Sequence, residues 1–148
     1  MLEWVFAQPL TVGTPAPDFT AVTQSGERVS LAALRGKNVV LVFYPADDTH
    51  VCTQQLCEFR DSWSSVTAAN AVVFGVNPAK ATRHAPFQKK FKLPFPLIVD
   101  EDAKIARAYN TWGGFVPRRT VYLIGPDGVI RYSQRGKPSP AEVLAAAA

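Results

Sequence analysis

Cysteine is scarce in this sequence, which has only Cys52 and Cys57 among its 148 residues. Two cysteines are too few for the disulfide framework that stabilises small secreted proteins. Long apolar runs are also missing, and none approaches the roughly 18 residues that a membrane-spanning helix needs. Residues 1–10 contain Glu3, lack a basic start and have too short an apolar run for a signal peptide. We therefore expect a cytoplasmic protein without a membrane partner, in which any disulfide is transient.

Acidic residues are missing between positions 62 and 99, although the whole chain has 12 of them and a formal charge of +4. The basic residues of this segment are Lys80, Arg83, Lys89, Lys90 and Lys92. Such a charge distribution attracts acidic partners, or nucleic acid without sequence preference. Because aromatic residues are not interleaved in a recognition pattern, we interpret the segment as a solvated face and do not expect nucleic-acid binding.

Internal repeats, low-complexity linkers and breaks in composition are also missing, so we expect a single domain over residues 1–148. Apolar segments at 39–44, 71–76 and 97–99 predict strands, with helices between them. This alternation of strand and helix predicts a sheet that is partly parallel and buried.

Turn residues predict two hairpins. Residues 19–23 and 28–30 flank Gln24-Ser25-Gly26-Glu27, and residues 120–124 and 129–133 flank Gly125-Pro126-Asp127-Gly128. Helices around a sheet that ends in an antiparallel hairpin are compatible with a thioredoxin-like fold.

Two further helix starts are predicted from capping residues. Asn77 and Pro78 have the residue types of an N-cap and a first helical position, and Pro86 is expected to shorten or kink the helix that follows. The segment from Ser139 to Glu142 combines a capping box with proline at the first helical position, which predicts a short C-terminal helix.

The stretch from Phe43 to Cys57 carries the strongest functional signal. It follows an apolar strand and precedes a pattern with helical spacing, so Cys52 is expected at a strand-to-helix junction, in the first turn of the helix. Unpaired backbone N–H groups and the helix dipole at that position favour a thiolate over a thiol. Because the thiolate is the nucleophilic form of cysteine, the sequence predicts cysteine chemistry at this residue.

The second cysteine is expected on another face of the same helix, about 140° around from Cys52. Cys52 heads an apolar stripe formed by Leu56, Phe59, Trp63 and Val66, whereas Cys57 lies beside Thr53, Asp61 and Ser64. In an intact helix, Cα atoms five residues apart are separated by roughly 8.7 Å, whereas a disulfide rarely spans more than about 7 Å. The two cysteines can therefore bond only if the first turns unwind. The alternative is that Cys57 is an idle thiol.

The spacing Pro45-x-x-x-Thr49-x-x-Cys52 after an apolar strand resembles the active-site motif of the peroxiredoxins, which are AhpC/TSA-like proteins. A second cysteine five positions on resembles their Q-type branch, also called bacterioferritin comigratory proteins. Residues 12–19 are similar to the family's opening, and residues 119–124 to the segment with its second active-site arginine. The resemblance covers nearly the whole chain. It implies a thioredoxin-like α/β fold, with a central mixed β-sheet flanked by helices and an N-terminal β-hairpin.

The resemblance also implies an enzyme: a thiol-dependent peroxidase that reduces hydrogen peroxide and organic hydroperoxides in cell redox homeostasis. Cys52 would attack the peroxide and become a sulfenic acid, which Cys57 would resolve as an intramolecular disulfide. Thioredoxin or a similar dithiol would then restore the reduced form. The Q-type branch suggests a monomer, and neither a cofactor nor a metal is expected.

Other residues of these motifs receive candidate roles. The Thr49 hydroxyl would contact the peroxide oxygens or act as the helix N-cap, and Pro45 would shield the sulfur from water. Arg118 and Arg119 are adjacent on a strand and point to opposite faces, and the resemblance selects Arg119 as the residue that stabilises the reacting charges.

Two aromatic residues, Tyr44 and Trp112, are candidates to line the pocket as substrate-binding residues. Core packing is the alternative for both, because buried aromatic side chains contribute large apolar surfaces wherever they pack.

The chain departs from the family at three positions. The family usually has Pro-Gly where this chain has His50 and Val51, which add bulk beside the nucleophile. It also often has Glu in place of Gln55.

Asp47 and Asp48 would disfavour a thiolate at close range, because like charges repel. We interpret both as helix-start residues that face solvent.

Other classes of protein remain as alternatives. A dithiol oxidoreductase of the thioredoxin type would need Cys-x-x-Cys, whereas the spacing here is Cys-x-x-x-x-Cys. A thioredoxin-fold protein that binds copper or zinc would use His50, Cys52 and Cys57, and would lack ligands unless His84 joined them. His84 is otherwise interpreted as a residue of the basic face on the second helix. A cysteine hydrolase would need a positioned histidine, for which neither histidine has supporting context.

Overall fold

The computed structural model describes residues 8–148. Residues 1–7, on which the expectation about a signal peptide partly rests, lie outside that range. Among the residues described, none of the helices has both the length and the apolar character needed to cross a membrane.

A seven-stranded mixed sheet forms the centre of the molecule, with the strand order β2-β1-β5-β4-β3-β6-β7. Its strands are β1 (Thr20–Thr23), β2 (Arg28–Ser30), β3 (Asn38–Phe43), β4 (Ala71–Asn77), β5 (Leu97–Val99), β6 (Thr120–Ile124) and β7 (Ile130–Arg135). β3 pairs in parallel with β4, and β4 with β5, whereas the other pairs are antiparallel. The predicted mixed sheet and both predicted hairpins are therefore confirmed.

Helices flank the sheet. They are α1 (His50–Asp61), α2 (Trp63–Ala68), α3 (Ala81–Lys90), α4 (Lys104–Ala108) and α5 (Pro140–Leu144), and 3-10 turns form at Ala32–Leu34 and Glu101–Ala103. The predicted C-terminal helix is confirmed, because the Ser139 side chain accepts a hydrogen bond from the Glu142 backbone N–H at its start.

The helix start predicted at Asn77 is wrong. β4 continues to Asn77, and α3 begins only at Ala81, after Lys80 as the N-cap residue. Asn77 Oδ1 instead accepts a hydrogen bond from the Ala79 N–H at 2.8 Å, which forms a turn before the helix. α3 also continues past Pro86 to Lys90.

The core divides into two clusters, one on each face of the sheet. All residues of β3 are buried and their side chains alternate, so Val40 and Val42 belong to one cluster, and Leu41 and Phe43 to the other. The first cluster also contains Cys52 of α1. β3 and β4 are parallel, so their carboxyl ends lie at the same edge of the sheet. The loops that follow these two strands therefore start side by side, and the first of them leads into α1.

Candidate active site

Cys52 is the third residue of α1 and lies beyond the loop that follows β3. The predicted strand-to-helix junction and the position in the first helical turn are both confirmed. The Cys52 side chain is 1% exposed and packs in the same cluster as Leu56 and Phe59, which lie one and two turns further along α1. The sulfur is therefore held at the end of the apolar stripe, where the helix dipole favours a negative charge.

Arg119 places a positive charge beside the sulfur of Cys52. It lies immediately before β6, the strand that pairs with β3. Its Nη2 donates a hydrogen bond to Cys52 Sγ at 3.2 Å, between residues that are 67 positions apart in the sequence. A guanidinium at this distance stabilises a thiolate, because a hydrogen bond to an ionised acceptor is stronger than one to a neutral acceptor.

Gln55, a site residue that was not predicted, orients the guanidinium. Its side chain is fully buried, and Oε1 accepts a hydrogen bond from Arg119 Nη1 at 2.8 Å. Its Nε2 donates to the Gly136 carbonyl at 3.4 Å. Gln55 is neutral, so it holds Arg119 without cancelling the charge that faces the sulfur. The signal was present in the sequence as a polar residue three positions after Cys52, on the same helix face.

Thr49 and Pro45 shape the loop before α1. Thr49 occupies the N-cap position, as predicted, but its side chain makes no capping hydrogen bond to the helix. Its hydroxyl donates instead to the Ala46 carbonyl at 3.2 Å, which closes the turn that leads to Cys52. The Pro45 carbonyl accepts a hydrogen bond from Asn77 Nδ2 at 2.9 Å, so the loops after β3 and β4 are tied together.

A cavity of about 270 Å³ opens beside this loop. Pro45 and Ala46 form one wall, and Val116 and Pro117 form another. Val116 is exposed, as is the neighbouring Phe115. Val51, one of the departures from the family motif, is also exposed, with 44% of its surface accessible to solvent. Asp47, Asn77 and Arg83 also line this cavity, so its walls are partly apolar and partly polar.

The two aromatic candidates lie on opposite faces of the sheet. Tyr44 is fully buried in the cluster that contains Cys52, whereas Trp112 is half-buried against the other cluster, with Arg107 over its ring at 5.4 Å. The structure thus brings Tyr44 towards Cys52 and leaves Trp112 away from it. Burial, the negative charge of Asp47, the hydrogen bond to Asp47 and the charge of Cys52 raise the pKa of Tyr44 well above its ordinary value. Tyr44 therefore stays a neutral hydrogen-bond donor.

The interpretation of Asp47 and His84 as solvent-facing residues is wrong. Asp47 is 2% exposed and His84 is fully buried. The two side chains are within hydrogen-bond distance of each other, with His84 Nδ1 2.6 Å from Asp47 Oδ2. Burial is possible because each group finds a partner inside the protein. Asp48 does face solvent, where it pairs with Lys90 at 3.4 Å.

Cys57 is half-buried on α1, and both cysteines are free thiols. Its side chain packs against the edge of the cluster that contains Cys52. Burial raises the pKa of Cys57, while the nearby Arg60 lowers it and Asp61 raises it further. Cys57 is therefore a protonated thiol at neutral pH while α1 is folded, and it is a weaker nucleophile than an ordinary free cysteine.

The metal-binding alternative finds no support in residues 8–148. No group of three or more His, Cys, Asp or Glu side chains in that range could hold a metal ion. His84, which would have had to complete the site, faces Asp47 through Nδ1 and the Asn77 carbonyl through Nε2.

A mixed sheet flanked by helices, with a buried cysteine at the start of a helix and an arginine beside its sulfur, defines a protein with a thioredoxin-like fold. The model of the AhpC/TSA family matches residues 12–133. The chain therefore belongs to the AhpC/TSA family, and its similarities lie with the peroxiredoxin Q branch. The expected family is thereby confirmed.

Two plant proteins and one bacterial structure illustrate the similarity. The chloroplastic peroxiredoxin Q of Sedum lineare is 39% identical over 142 residues, which cover 90% of this chain and 74% of the relative. The chloroplastic peroxiredoxin Q of Oryza sativa subsp. japonica is 40% identical over 134 residues, which cover 86% of this chain. The chain spans only 60% of the length of that rice protein. The crystal structure of peroxidoxin BcpB from Mycobacterium tuberculosis superposes with a TM-score of 0.85 and 26% identity, over 93% of this chain and 96% of that one.

Proposed function

We propose that this chain is a thiol-dependent peroxidase in which Cys52 attacks hydrogen peroxide or an organic hydroperoxide. The observation that carries the proposal is the hydrogen bond of 3.2 Å from Arg119 to the sulfur of Cys52, at the first turn of α1. Membership of the peroxiredoxin family supports the same reaction. The exposed apolar side chains of Val51 and Val116 near this loop support organic hydroperoxides as substrates in addition to hydrogen peroxide.

The first step is an in-line attack of the Cys52 thiolate on one peroxide oxygen. A sulfur–oxygen bond forms, the oxygen–oxygen bond breaks, and the second oxygen leaves as hydroxide or alkoxide, which takes up a proton to give water or an alcohol. Arg119 stabilises the thiolate before the attack and the charge that grows on the leaving oxygen. Thr49 contacts the peroxide through its hydroxyl, and Pro45, which has no N–H group, keeps water from the sulfur.

The second step forms a disulfide. The Cys57 sulfur attacks the Cys52 sulfenic acid, a sulfur–sulfur bond forms, and the sulfenic oxygen leaves as water. Because the two cysteines are five residues apart on a continuous helix, the first turns of α1 unwind before this step. Unwinding also exposes Cys57 to water, which removes the burial that raises its pKa.

The catalytic cycle closes when an external dithiol reduces the disulfide by thiol exchange, for which we propose thioredoxin or a similar protein. The Q-type branch supports a monomer with a single domain. Two cysteines that must be reduced between cycles support a reducing compartment such as the cytoplasm.

Intact-mass spectrometry after one equivalent of peroxide tests the proposed function. We expect the reduced protein to lose two hydrogen atoms, and a peptide that links Cys52 to Cys57 to appear after digestion. The same measurement on the Cys57→Ser variant is the matched control, and it should show a gain of one oxygen atom instead. An unchanged mass in both proteins would contradict the peroxidase, and oxygen gain without a disulfide in the wild type would contradict the role of Cys57.

Cys57→Ser tests the resolving step separately. We expect the first attack to keep its rate within about twofold, because Cys57 lies on another face of α1 and the hydrogen bond from Arg119 is made to Cys52. The sulfenic acid should then persist and oxidise further to sulfinic acid under excess peroxide. Mass spectrometry over a peroxide titration measures this outcome. Overoxidation equal to that of the wild type would mean that Cys57 is an idle thiol.

A further inference from the structure

A closed ring of hydrogen bonds lies beneath the loop that leads to Cys52, and the peroxidase mechanism does not use it. Tyr44 Oη donates to Asp47 Oδ1 at 2.6 Å, and Asp47 Oδ2 lies 2.6 Å from His84 Nδ1. His84 Nε2 lies 3.0 Å from the Asn77 carbonyl oxygen. Asn77 Nδ2 closes the ring by donating to the Tyr44 carbonyl at 2.9 Å. The ring connects the ends of β3 and β4 with α3.

The partners of the His84 ring fix its protons. The Asn77 carbonyl can only accept, so Nε2 carries a hydrogen atom. A hydrogen bond between Nδ1 and Asp47 Oδ2, which are 2.6 Å apart, requires one proton between these two atoms. The pair is an imidazolium with a carboxylate, or an imidazole with a carboxylic acid, and its total charge is zero in either arrangement. His84 therefore compensates the charge of Asp47.

This compensation lies close to the nucleophile. Tyr44 contacts Asp47 through its hydroxyl and packs in the same buried cluster as Cys52. The charges of Asp47 and Cys52 both contribute to the raised pKa of Tyr44, so the tyrosine hydroxyl is within electrostatic range of the two groups. A bare carboxylate at Asp47 would repel the Cys52 thiolate across this side chain.

The other charged groups around the ring are exposed and can be screened by water. Asp48, Arg83 and Lys90 line a cavity of about 170 Å³ beside Asp47, and all of them are exposed to solvent. Asp48 and Lys90 pair with each other. His84 is therefore the basic group that Asp47 meets inside the protein.

We propose that His84 is a positioning residue of the peroxidatic site, which neutralises Asp47 and fixes the loop over Cys52. The ring includes Tyr44 at the start of this loop and Asp47 in its middle. Asn77 also donates a hydrogen bond to the Pro45 carbonyl between them. Loss of His84 would leave a buried, uncompensated carboxylate against Tyr44 and would open the ring. The proposal rests on the proposed function for its role in catalysis, but its electrostatic effect on Cys52 is measurable without peroxide.

Thiolate titration by ultraviolet absorbance, with the Cys57→Ser variant as the parent, tests the proposal on a protein with Cys52 as its single thiol. We expect His84→Gln to move the Cys52 titration upwards by about one pH unit, because it uncovers a like charge. Asp47→Asn should not move it upwards, because no carboxylate remains. In the double variant His84→Gln/Asp47→Asn, Cys52 should titrate as it does in Asp47→Asn, although both partners of the pair have been replaced.

This pattern separates charge compensation from simple structural support. If the ring only supports the fold, His84→Gln, Asp47→Asn and the double variant should all change the titration in the same direction. That result would overturn the proposal, as would an unchanged titration in His84→Gln. Lys89→Gln is the matched control, because it removes an exposed positive charge from the same helix and should leave the titration unchanged.

Single-turnover oxidation by hydrogen peroxide is the second readout. At a pH below the titration midpoints of both proteins, we expect His84→Gln to react about tenfold more slowly than its parent, because a shift of one pH unit lowers the thiolate fraction tenfold there. If peroxide oxidises no variant, including the parent, the proposed function fails, whereas the titration still decides the proposal about His84.

Proton NMR of the parent protein keeps the proposal testable if the variants do not fold. The shared proton between His84 and Asp47 should give a strongly downfield signal that is protected from exchange with solvent, which the exposed His50 cannot give. Absence of this signal would overturn the proposal.

Discussion

Replacement of Cys52 by serine is expected to abolish peroxide consumption in the presence of a dithiol reductant. The loss should reach the uncatalysed background, a decrease of at least about 10³-fold, because the nucleophile itself is removed. Serine has nearly the same shape as cysteine, so the buried position in α1 should still pack. Peroxide loss in a coupled assay, followed over time, measures the effect.

Cys57 cannot take over the reaction in this variant. It lies on another face of α1, burial raises its pKa, and the hydrogen bond from Arg119 is made to Cys52. The residual rate should therefore be no faster than that of an ordinary thiol. The control is Cys57→Ser, which should still consume a single added equivalent of peroxide in the absence of reductant. Turnover by Cys52→Ser at the rate of the wild type would contradict the assignment of the nucleophile.

Local sequence signals were sufficient to place Cys52 at the start of a helix. The apolar run of β3, the turn residues after it and the helical spacing from residue 50 onwards all lie within about one strand and one helix. From these features alone, both the strand-to-helix junction and the position of Cys52 on the buried face of α1 could be predicted. Arg119 is different, because it is 67 residues away and its proximity depends on the pairing of β3 with β6. The resemblance to a family, and no local pattern, identified it.

The polar residues beneath the site could not be located from local patterns. Asp47 lies in a polar stretch before a helix, where a carboxylate normally faces solvent. It is buried here because His84, 37 residues away, meets it inside the protein. His84 in turn lies in a segment rich in lysine and arginine, which indicates an exposed face. The burial of each residue depends on the other, so neither position alone predicts it.

Asn77 shows the same limitation for a helix boundary. The pair Asn77-Pro78 fits a helix start by residue type, yet the backbone of Asn77 pairs with Val99 in the sheet. Its side chain is engaged by Tyr44, Pro45 and Ala79. Asn77 could cap a helix by its residue type, but its side chain instead connects the loops that follow β3 and β4.

Arg119→Ala is expected to slow the attack of Cys52 on peroxide by about 10²-fold, the usual effect of removing one donor to a developing negative charge. In the wild type, the same guanidinium contacts the sulfur at 3.2 Å and Gln55 at 2.8 Å, so its position is fixed before the substrate arrives. Stopped-flow measurement of one turnover, with Cys57→Ser as the parent, isolates this step. The Cys52 titration should also move to higher pH, because the thiolate loses its positive neighbour.

Two matched variants separate charge from geometry. Arg119→Lys keeps the positive charge but loses the planar fork that contacts the sulfur and Gln55 together, so its rate should lie between those of the wild type and Arg119→Ala. Arg118→Ala removes the neighbouring charge, and its effect on the rate should be much smaller.

Because Arg119→Ala also leaves the buried Gln55 without one partner, we expect a decrease of about 1–3 kcal/mol in the free energy of unfolding. The thermal unfolding of Arg119→Ala should therefore be measured together with its kinetics. An unchanged titration and rate in a folded Arg119→Ala protein would contradict the assignment, and a large effect of Arg118→Ala would transfer the role to that residue.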